Sequence, residues 1–265
     1  MSMPTAAGTL RRLGELSPEA ASRFTSLVFL DRVVSTNDVA FSHLEQRGSE
    51  ADGTVVVARE QSGGRGRMGR SWSSPSGNLH LSVLRRIVEP PDKCAMVSLL
   101  SGIAMAEAVI AVTGVKVTLK WPNDLLVGDL KLAGILLEGR DGFQVVGIGV
   151  NVNVHCRDLA PEVHATATTL LDQRGRHTDH EELLAVFLER FAGLEAAFVE
   201  APTLPRERYL RYFPFVGQPV RVQRHGQEVV APVAGIGADG ALLLAGDGGE
   251  TMRITTGEVT HVRRA

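Results

Sequence analysis

Residues 61–72 read Gln61-Ser62-Gly63-Gly64-Arg65-Gly66-Arg67-Met68-Gly69-Arg70-Ser71-Trp72. Gly64, Gly66 and Gly69 match GxGxxG, and the stretch follows Thr54-Val55-Val56-Val57-Ala58, a β-branched run that predicts a strand. A dinucleotide-binding Rossmann unit needs a helix opening directly after the last glycine, so that its N-terminus takes the pyrophosphate. Here Ser71-Trp72-Ser73-Ser74-Pro75-Ser76-Gly77 follows, which starts no regular helix. The Rossmann reading does not fit that context. A Walker P-loop fails as well, because no Gly-Lys precedes a Ser or Thr anywhere in the chain.

What remains is a glycine-rich backbone carrying Arg65, Arg67 and Arg70. Glycines let main-chain N–H groups turn toward an anion. The arginines add bidentate donors suited to phosphate or carboxylate. Trp72 offers a flat face to a ring such as adenine. The competing reading is a solvated loop or an RGG-like nucleic-acid segment; the latter usually repeats, and this one does not.

Outward from the loop, the pattern alternates strands and helices. Leu27 to Val34 reads as a strand, and Ser35-Thr36-Asn37 as an N-cap cluster before the amphipathic run Val39 to Leu44. Leu79 to Leu84 alternates as a half-buried strand. Asp92 starts a long helix through Val112, which Gly114 ends. Val115 to Leu119 is a strand, Leu125 to Glu138 a hairpin about Gly128-Asp129, and Phe143 to Val154 another strand. Thr178 or Asp179 caps a helix to about Glu200, and a second covers Arg206 to Tyr212. After Pro214 the texture changes to short strands at regular spacing, the signature of a small all-β barrel. The chain therefore divides into an N-terminal extension (1–25), an α+β domain (26–213) and a C-terminal barrel (214–265).

Composition bounds the function. With 265 residues, 44% hydrophobic and 22% charged, the chain is ordinary globular material, long enough for a real core. The net charge of −2 implies no global pull toward nucleic acid or membrane. Cys94 and Cys156 form no CxxC pair, which fits a reducing compartment. No signal peptide is visible. The most apolar stretch has thirteen residues between Lys93 and Glu107, short of the roughly 18–20 a membrane span needs. A soluble, cytoplasmic protein is expected.

Two further segments invite chemistry. Lys120-Trp121-Pro122-Asn123-Asp124 ends a strand in a turn; Asp124 is either a turn residue or a group near a metal–phosphate or ribose hydroxyl. Lys131 sits in an apolar strand, one of only four lysines in an arginine-rich chain. Alternation puts it on the face of Ala133 and Ile135, opposite Gly134. It is an edge-strand guard or a functional cation. His177, His180 and Glu181 read as a solvated helix start rather than a metal site. Gly69-Arg70-Ser71-Trp72-Ser73 lacks the second glycine of a nucleophile elbow.

The ordered set Ser35-Thr36-Asn37; Gln61 with Gly64-Arg65-Gly66-Arg67-Met68-Gly69-Arg70 and Trp72; Lys120-Trp121-Pro122-Asn123-Asp124; Lys131-Leu132-Ala133-Gly134-Ile135-Leu136; and Gly147-Ile148-Gly149-Val150-Asn151 resembles the biotin–protein ligases. The resemblance covers about residues 30–265. It implies a class II synthetase-like mixed sheet packed with helices, followed by an SH3-like barrel. It also implies synthesis of biotinyl-5′-AMP from biotin and MgATP, then transfer to a lysine of a biotin carboxyl carrier domain.

By that resemblance Ser35, Thr36, Asn37, Gln61, Arg65, Gly66, Arg67, Lys131 and Gly134 line biotin. Arg65, Arg67, Arg70, Trp72, Asp124, Lys131 and Asn151 hold the nucleotide or adenylate. Lys131, Arg67 and Asp124 carry the chemistry, with Asp124 near Mg²⁺ indirectly. Gly134, Gly147 and Gly149 let a flat ligand approach the strands, and the Gly-Arg loop acts as a lid. Met68 and Ser71 stand where many members have basic residues, so the lid is less cationic. Some 25 residues before the first strand are too few for a winged helix-turn-helix of roughly 60 residues, so no operator binding is expected. The family includes monomers and dimers; a monomer or weak homodimer is expected. The rivals are a lipoate or octanoate ligase of similar fold, and a nucleic-acid-binding regulator.

Overall fold

The computed structural model describes residues 14–87, 89–224, 227–246, 250–255 and 258–261. A short helix α1 (Pro18–Arg23), capped by the Ser17 hydroxyl, precedes strand β1 (Ser26–Val33) and helix α2 (Thr36–Arg47). Strands β2 (Thr54–Gln61) and β3 (Leu79–Arg86) flank the Gly-Arg loop. Helices α3 (Pro91–Cys94) and α4 (Met96–Thr113) follow. Then come β4 (Thr118–Lys120), β5 (Asp124–Val127), β6 (Leu130–Arg140) and β7 (Phe143–Val150). Helices α5 (Leu170–Arg174), α6 (His180–Glu200) and α7 (Arg206–Leu210) close the larger unit.

The strands form one seven-stranded mixed sheet in the order β1-β2-β3-β7-β6-β5-β4, with β1 and β2 parallel and the other pairs antiparallel. Period-two alternation decides its two faces. Val55, Val57, Leu81, Val83, Val146, Ile148 and Val150 pack into a large core with α4 and α6. Val56, Leu84 and Val145 turn the other way, onto Ala40, Phe41 and Leu44 of α2. The α2 helix covers only part of that second face. Beyond it, where Gly134 pairs with Gly149 and Leu136 with Gly147, the face is left for a pocket.

By length and composition α4 could cross a membrane. Here it is enclosed, with Val97, Leu100, Ile103 and Ala104 in the core shared with α6. A second, antiparallel sheet follows: β8 (Pro219–Arg224), β9 (Gln227–Ile236), β10 (Leu242–Ala245), β11 (Thr251–Ile254) and β12 (Glu258–His261), ordered β11-β10-β9-β8-β12. It packs on the larger unit at a defined point, where Trp121 Nε1 donates to Gly240 O at 3.0 Å.

Several expectations shift in detail. The single helix from Asp92 breaks at Ala95 into α3 and α4. The strand from Phe143 stops at Val150; beyond it Asn151 N donates to Leu132 O, Val152 N donates to the Asn78 side-chain oxygen, and the carbonyls of Asn151 and Val152 accept from Leu170 N and Leu171 N. The N-cap cluster is used differently from its reading. Ser35 is the N-cap residue but makes no side-chain capping bond. Thr36 and Asn37 enter the first turn and aim at the sheet.

The face assigned to Lys131 is corrected. Strict alternation puts it opposite Gly134, yet its Nζ lies 3.2 Å from where a Cβ on Gly134 would stand. The cause is a β-bulge. Leu125 pairs with Ala133 but Leu126 pairs with Lys131, so Leu132 is the extra residue. One extra residue reverses the facing of everything beyond it. Beyond the bulge, Lys131 pairs with the 163–168 segment, its N–H donating to Thr166 O at 2.7 Å.

Candidate active site

The pocket on the open face has a volume of about 220 Å³. One end is a row of polar groups brought together by α2, β2 and β3. Gln61 Oε1 accepts from Thr36 N at 2.9 Å and from Thr36 Oγ1 at 3.1 Å. Gln61 Nε2 donates to Ser74 Oγ at 2.9 Å. Ser82 Oγ lies 2.7 Å from Thr36 Oγ1 and 2.6 Å from Asn37 Oδ1, with one proton to share between them. Ser35, Thr36 and Asn37 are all buried. Buried polar groups persist where partners satisfy them, and this row is pre-paired.

The other end is cationic. Arg65, Gly66, Arg67 and Arg70 of the loop line it together with Lys131. The loop closes on itself: Gly66 N donates to Arg70 O at 2.7 Å, and Trp72 N to Gly64 O at 2.9 Å. Arg67 reaches across to the turn before β5, its Nη1 donating to Asn123 Oδ1 at 3.3 Å. Lys131 Nζ stands 2.6 Å from Asp124 Oδ1. The contact is ionic without hydrogen-bond alignment, since that buried oxygen has no hydrogen-bonded partner.

Trp72 forms the wall between this pocket and a smaller cavity of about 60 Å³, lined in part by Lys131, Asn151 and Thr166. Lys131 Nζ lies 5.4 Å from the indole centroid. The strand glycines line the pocket and also make room for protein side chains. A Cβ on Gly149 would fall 2.2 Å from Trp72 Nε1, and one on Gly147 would fall 2.3 Å from Asn37 Oδ1.

The structure thus gathers Ser35, Thr36, Asn37, Gln61, Arg65, Gly66, Arg67, Arg70, Trp72, Lys131 and Gly134 around one pocket. Asn151 lies at the adjoining cavity, its amide engaged by Asn78 and Thr168. Asp124 does not line the main pocket; it stands behind Lys131 as counter-ion. No group of three or more metal-ligating side chains occurs among the described residues. A single carboxylate already paired with Lys131 builds no metal cage by itself and suits at most a metal that arrives on a nucleotide's phosphates, as Mg²⁺ commonly does.

Ser82, Ser74 and Glu138 are site residues that the sequence did not single out, and Asn123 was read there only as part of a turn. Ser82 alone left a signal, as a polar residue among the apolar positions of a strand.

A model of the Biotin/lipoate A/B protein ligase family matches residues 29–155, and one of the biotin protein ligase C terminal domain matches residues 215–262. The biotin--[acetyl-CoA-carboxylase] ligase of Mycobacterium tuberculosis is 35% identical over 226 residues, 82% of this chain and 82% of that protein. The chain belongs to the biotin protein ligase family. A second relative, the bifunctional ligase/repressor BirA of Escherichia coli, is 34% identical over 229 residues, 84% of this chain and 70% of its own length. The fold agrees. A biotin protein ligase from Aquifex aeolicus, solved in complex with biotin and ATP, superposes with a TM-score of 0.77 at 29% identity, covering 89% of this chain and 98% of that one. The mixed sheet with its helices and the C-terminal antiparallel sheet are the biotin protein ligase fold, and this ligase is an enzyme.

Proposed function

We propose that this ligase activates biotin with ATP to biotinyl-5′-AMP and passes the biotinyl group to one lysine of a biotin carboxyl carrier domain. The observation that carries the reading is the position of Lys131. The bulge in β6 turns its ammonium onto the glycine face, between the main pocket and the Trp72 cavity. An acid in one compartment and a nucleotide in the other would meet at that charge.

In the first step a carboxylate oxygen attacks the α-phosphorus, and pyrophosphate leaves. Two anions must be brought together, so the site has to supply cations and exclude water. Lys131 places a compact charge on the forming bond. Arg67 holds phosphate oxygens as the Gly-Arg loop orders over the intermediate. Trp72 packs on adenine, and Asn151 stands beside the nucleotide. Asp124 orients Lys131 from behind; Mg²⁺ arriving with ATP would add charge neutralisation at the phosphates, with Asp124 the nearest carboxylate to Lys131. In the second step the acceptor amine attacks the acyl carbon, and AMP leaves.

The polar row favours biotin over a simple fatty acid. Thr36, Asn37 and Gln61 offer donors and acceptors that a urea can match. An octanoyl chain would bury against them without doing so, and such mismatches discriminate strongly. A cytoplasmic location, a monomer or weak homodimer, and no operator binding by this chain at its net charge of −2 belong to the same proposal.

The test is transfer. Labelled biotin, ATP and magnesium are incubated with the ligase and a purified carrier domain. Label on the wild-type carrier and none on its acceptor Lys→Arg variant is the expected result. Transfer of lipoate or octanoate instead of biotin would overturn the substrate assignment.

A further inference from the structure

Arg65 ties the Gly-Arg loop to two carboxylates. Arg65 Nη1 donates to Asp38 Oδ2 at 2.9 Å and Nη2 to Asp38 Oδ1 at 2.6 Å, a bidentate fork. Nη2 also reaches Glu138 Oε2 at 3.3 Å. That same Glu138 oxygen accepts from Asn37 Nδ2 at 2.6 Å. Because a carboxylate only accepts, it fixes which way the Asn37 amide points: Nδ2 toward Glu138 and Oδ1 toward Ser82. The chain of contacts therefore runs from the loop, through Glu138, into the polar row of the pocket.

Two things follow from the geometry. Both terminal nitrogens of Arg65 are on carboxylates, which ties its guanidinium to Asp38, while Arg67 extends across the pocket to Asn123. Also, Arg65 and Ser71 form the bridge at the base of the loop, directly before Trp72. Whatever fixes Arg65 fixes the approach of Trp72 to the sheet.

We propose that Asp38 and Glu138 are positioning residues: Asp38 holds the lid shut through Arg65, and Glu138 couples that lid to Asn37 and so to binding of the acid. The inference rests on the ligase reading above for what the pocket binds. Neither carboxylate touches reacting atoms. Arg65 thereby acts as the lid's anchor.

The lid supplies its own probe, since Arg65, Arg67 and Arg70 are tryptic sites whose cleavage reports opening without any substrate. Asp38→Asn is expected to speed lid cleavage about three- to fivefold, the scale of a partly solvated ion pair. Read at the Arg67 and Arg70 bonds, which all variants keep, Arg65→Ala should do the same, and the double variant no more than either, because Asp38 acts through Arg65. Glu138→Gln keeps an acceptor for Asn37 and loses the charge facing Arg65. It should loosen the lid and raise the KM for biotin in pyrophosphate exchange, by less than a variant that also removes the acceptor of Asn37. Glu138→Ala should raise that KM about tenfold at little change in kcat. Additive effects of Asp38→Asn and Arg65→Ala on cleavage would overturn the latch. An unchanged KM in Glu138→Ala, or equal KM losses in Glu138→Gln and Glu138→Ala, would overturn the coupling. If Glu138→Ala does not fold, a looser lid with an unchanged KM in Glu138→Gln overturns the coupling by itself. Absence of biotin-dependent exchange in the wild type would sink the ligase reading, and the cleavage cycle would still decide the latch.

Discussion

Lys131 Nζ and Asp124 Oδ1 lie 2.6 Å apart, the lysine on β6 and the aspartate at the start of β5. The pair forms because Lys131 stands just beyond the bulge, on the glycine face. Asp124 thereby stabilises a charge that the pocket needs while leaving it on the pocket wall. Lys131→Ala should slow adenylate formation on the order of 100-fold or more, the usual cost of removing a preorganised charge from a transition state. Biotin affinity should change far less. Single-turnover formation of the adenylate and equilibrium binding of biotin separate the two; equal losses in both would make Lys131 a simple binding residue.

Gly149 is the floor on which Trp72 rests. A methyl group there would lie 2.2 Å from the indole Nε1, so Gly149→Ala must push the ring away from the sheet. The expected cost is about 1–3 kcal/mol of stability, typical of overpacking. The KM for ATP should rise more than the KM for biotin, because the displaced ring borders the smaller cavity. Trp72 is one of two tryptophans, so its emission reports the move. Unchanged emission together with an unchanged Tm would contradict the packing.

Arg67 reaches from the loop to Asn123 and so crosses the mouth of the cationic end. Removing it should let the intermediate escape before transfer. Arg67→Ala is expected to accumulate free biotinyl-AMP during turnover, measured by chromatography of the reaction mixture. A variant with no more free adenylate than wild type would remove Arg67 from the lid.

His80 on β3 makes a prediction about pH. Burial holds its pKa down at about 4; the Pro75 carbonyl contact works against this, and nearby His180 adds slightly to it. Unfolded, the ring titrates near 6.5. Between those values the unfolded chain binds more protons than the native one. Stability from this group is therefore complete above about pH 6.5 and is lost as pH falls toward 4. The loss should be on the order of 3 kcal/mol over that window. Thermal unfolding from pH 7.5 to 4.5 measures it, and His80→Gln should flatten that part of the profile. Parallel profiles for the two proteins would assign the acid sensitivity elsewhere.

Much of the fold was legible because its strands are β-branched and alternate, and because Asp179 and Gly114 sit where helix ends need them. The site was legible as a set of residue types: a Gly-Arg loop that opens no helix, a lone lysine in an apolar strand, a polar cluster before a helix. The facing of Lys131 was not, because a bulge is a property of two paired strands and leaves no mark on one. Glu138 and Asp38 were not, because their meaning comes from Arg65, 73 and 27 residues away in sequence. The segment from Cys156 to Val163 has no periodicity to read, yet its continuation supplies Thr166, which bonds Lys131.

Pyrophosphate–ATP exchange with the purified ligase, comparing biotin, lipoate and octanoate, shows which acid the site activates. Exchange should depend on biotin and be absent with the other two acids. Exchange driven by lipoate or octanoate, or none with any of the three, would contradict the proposed activation of biotin.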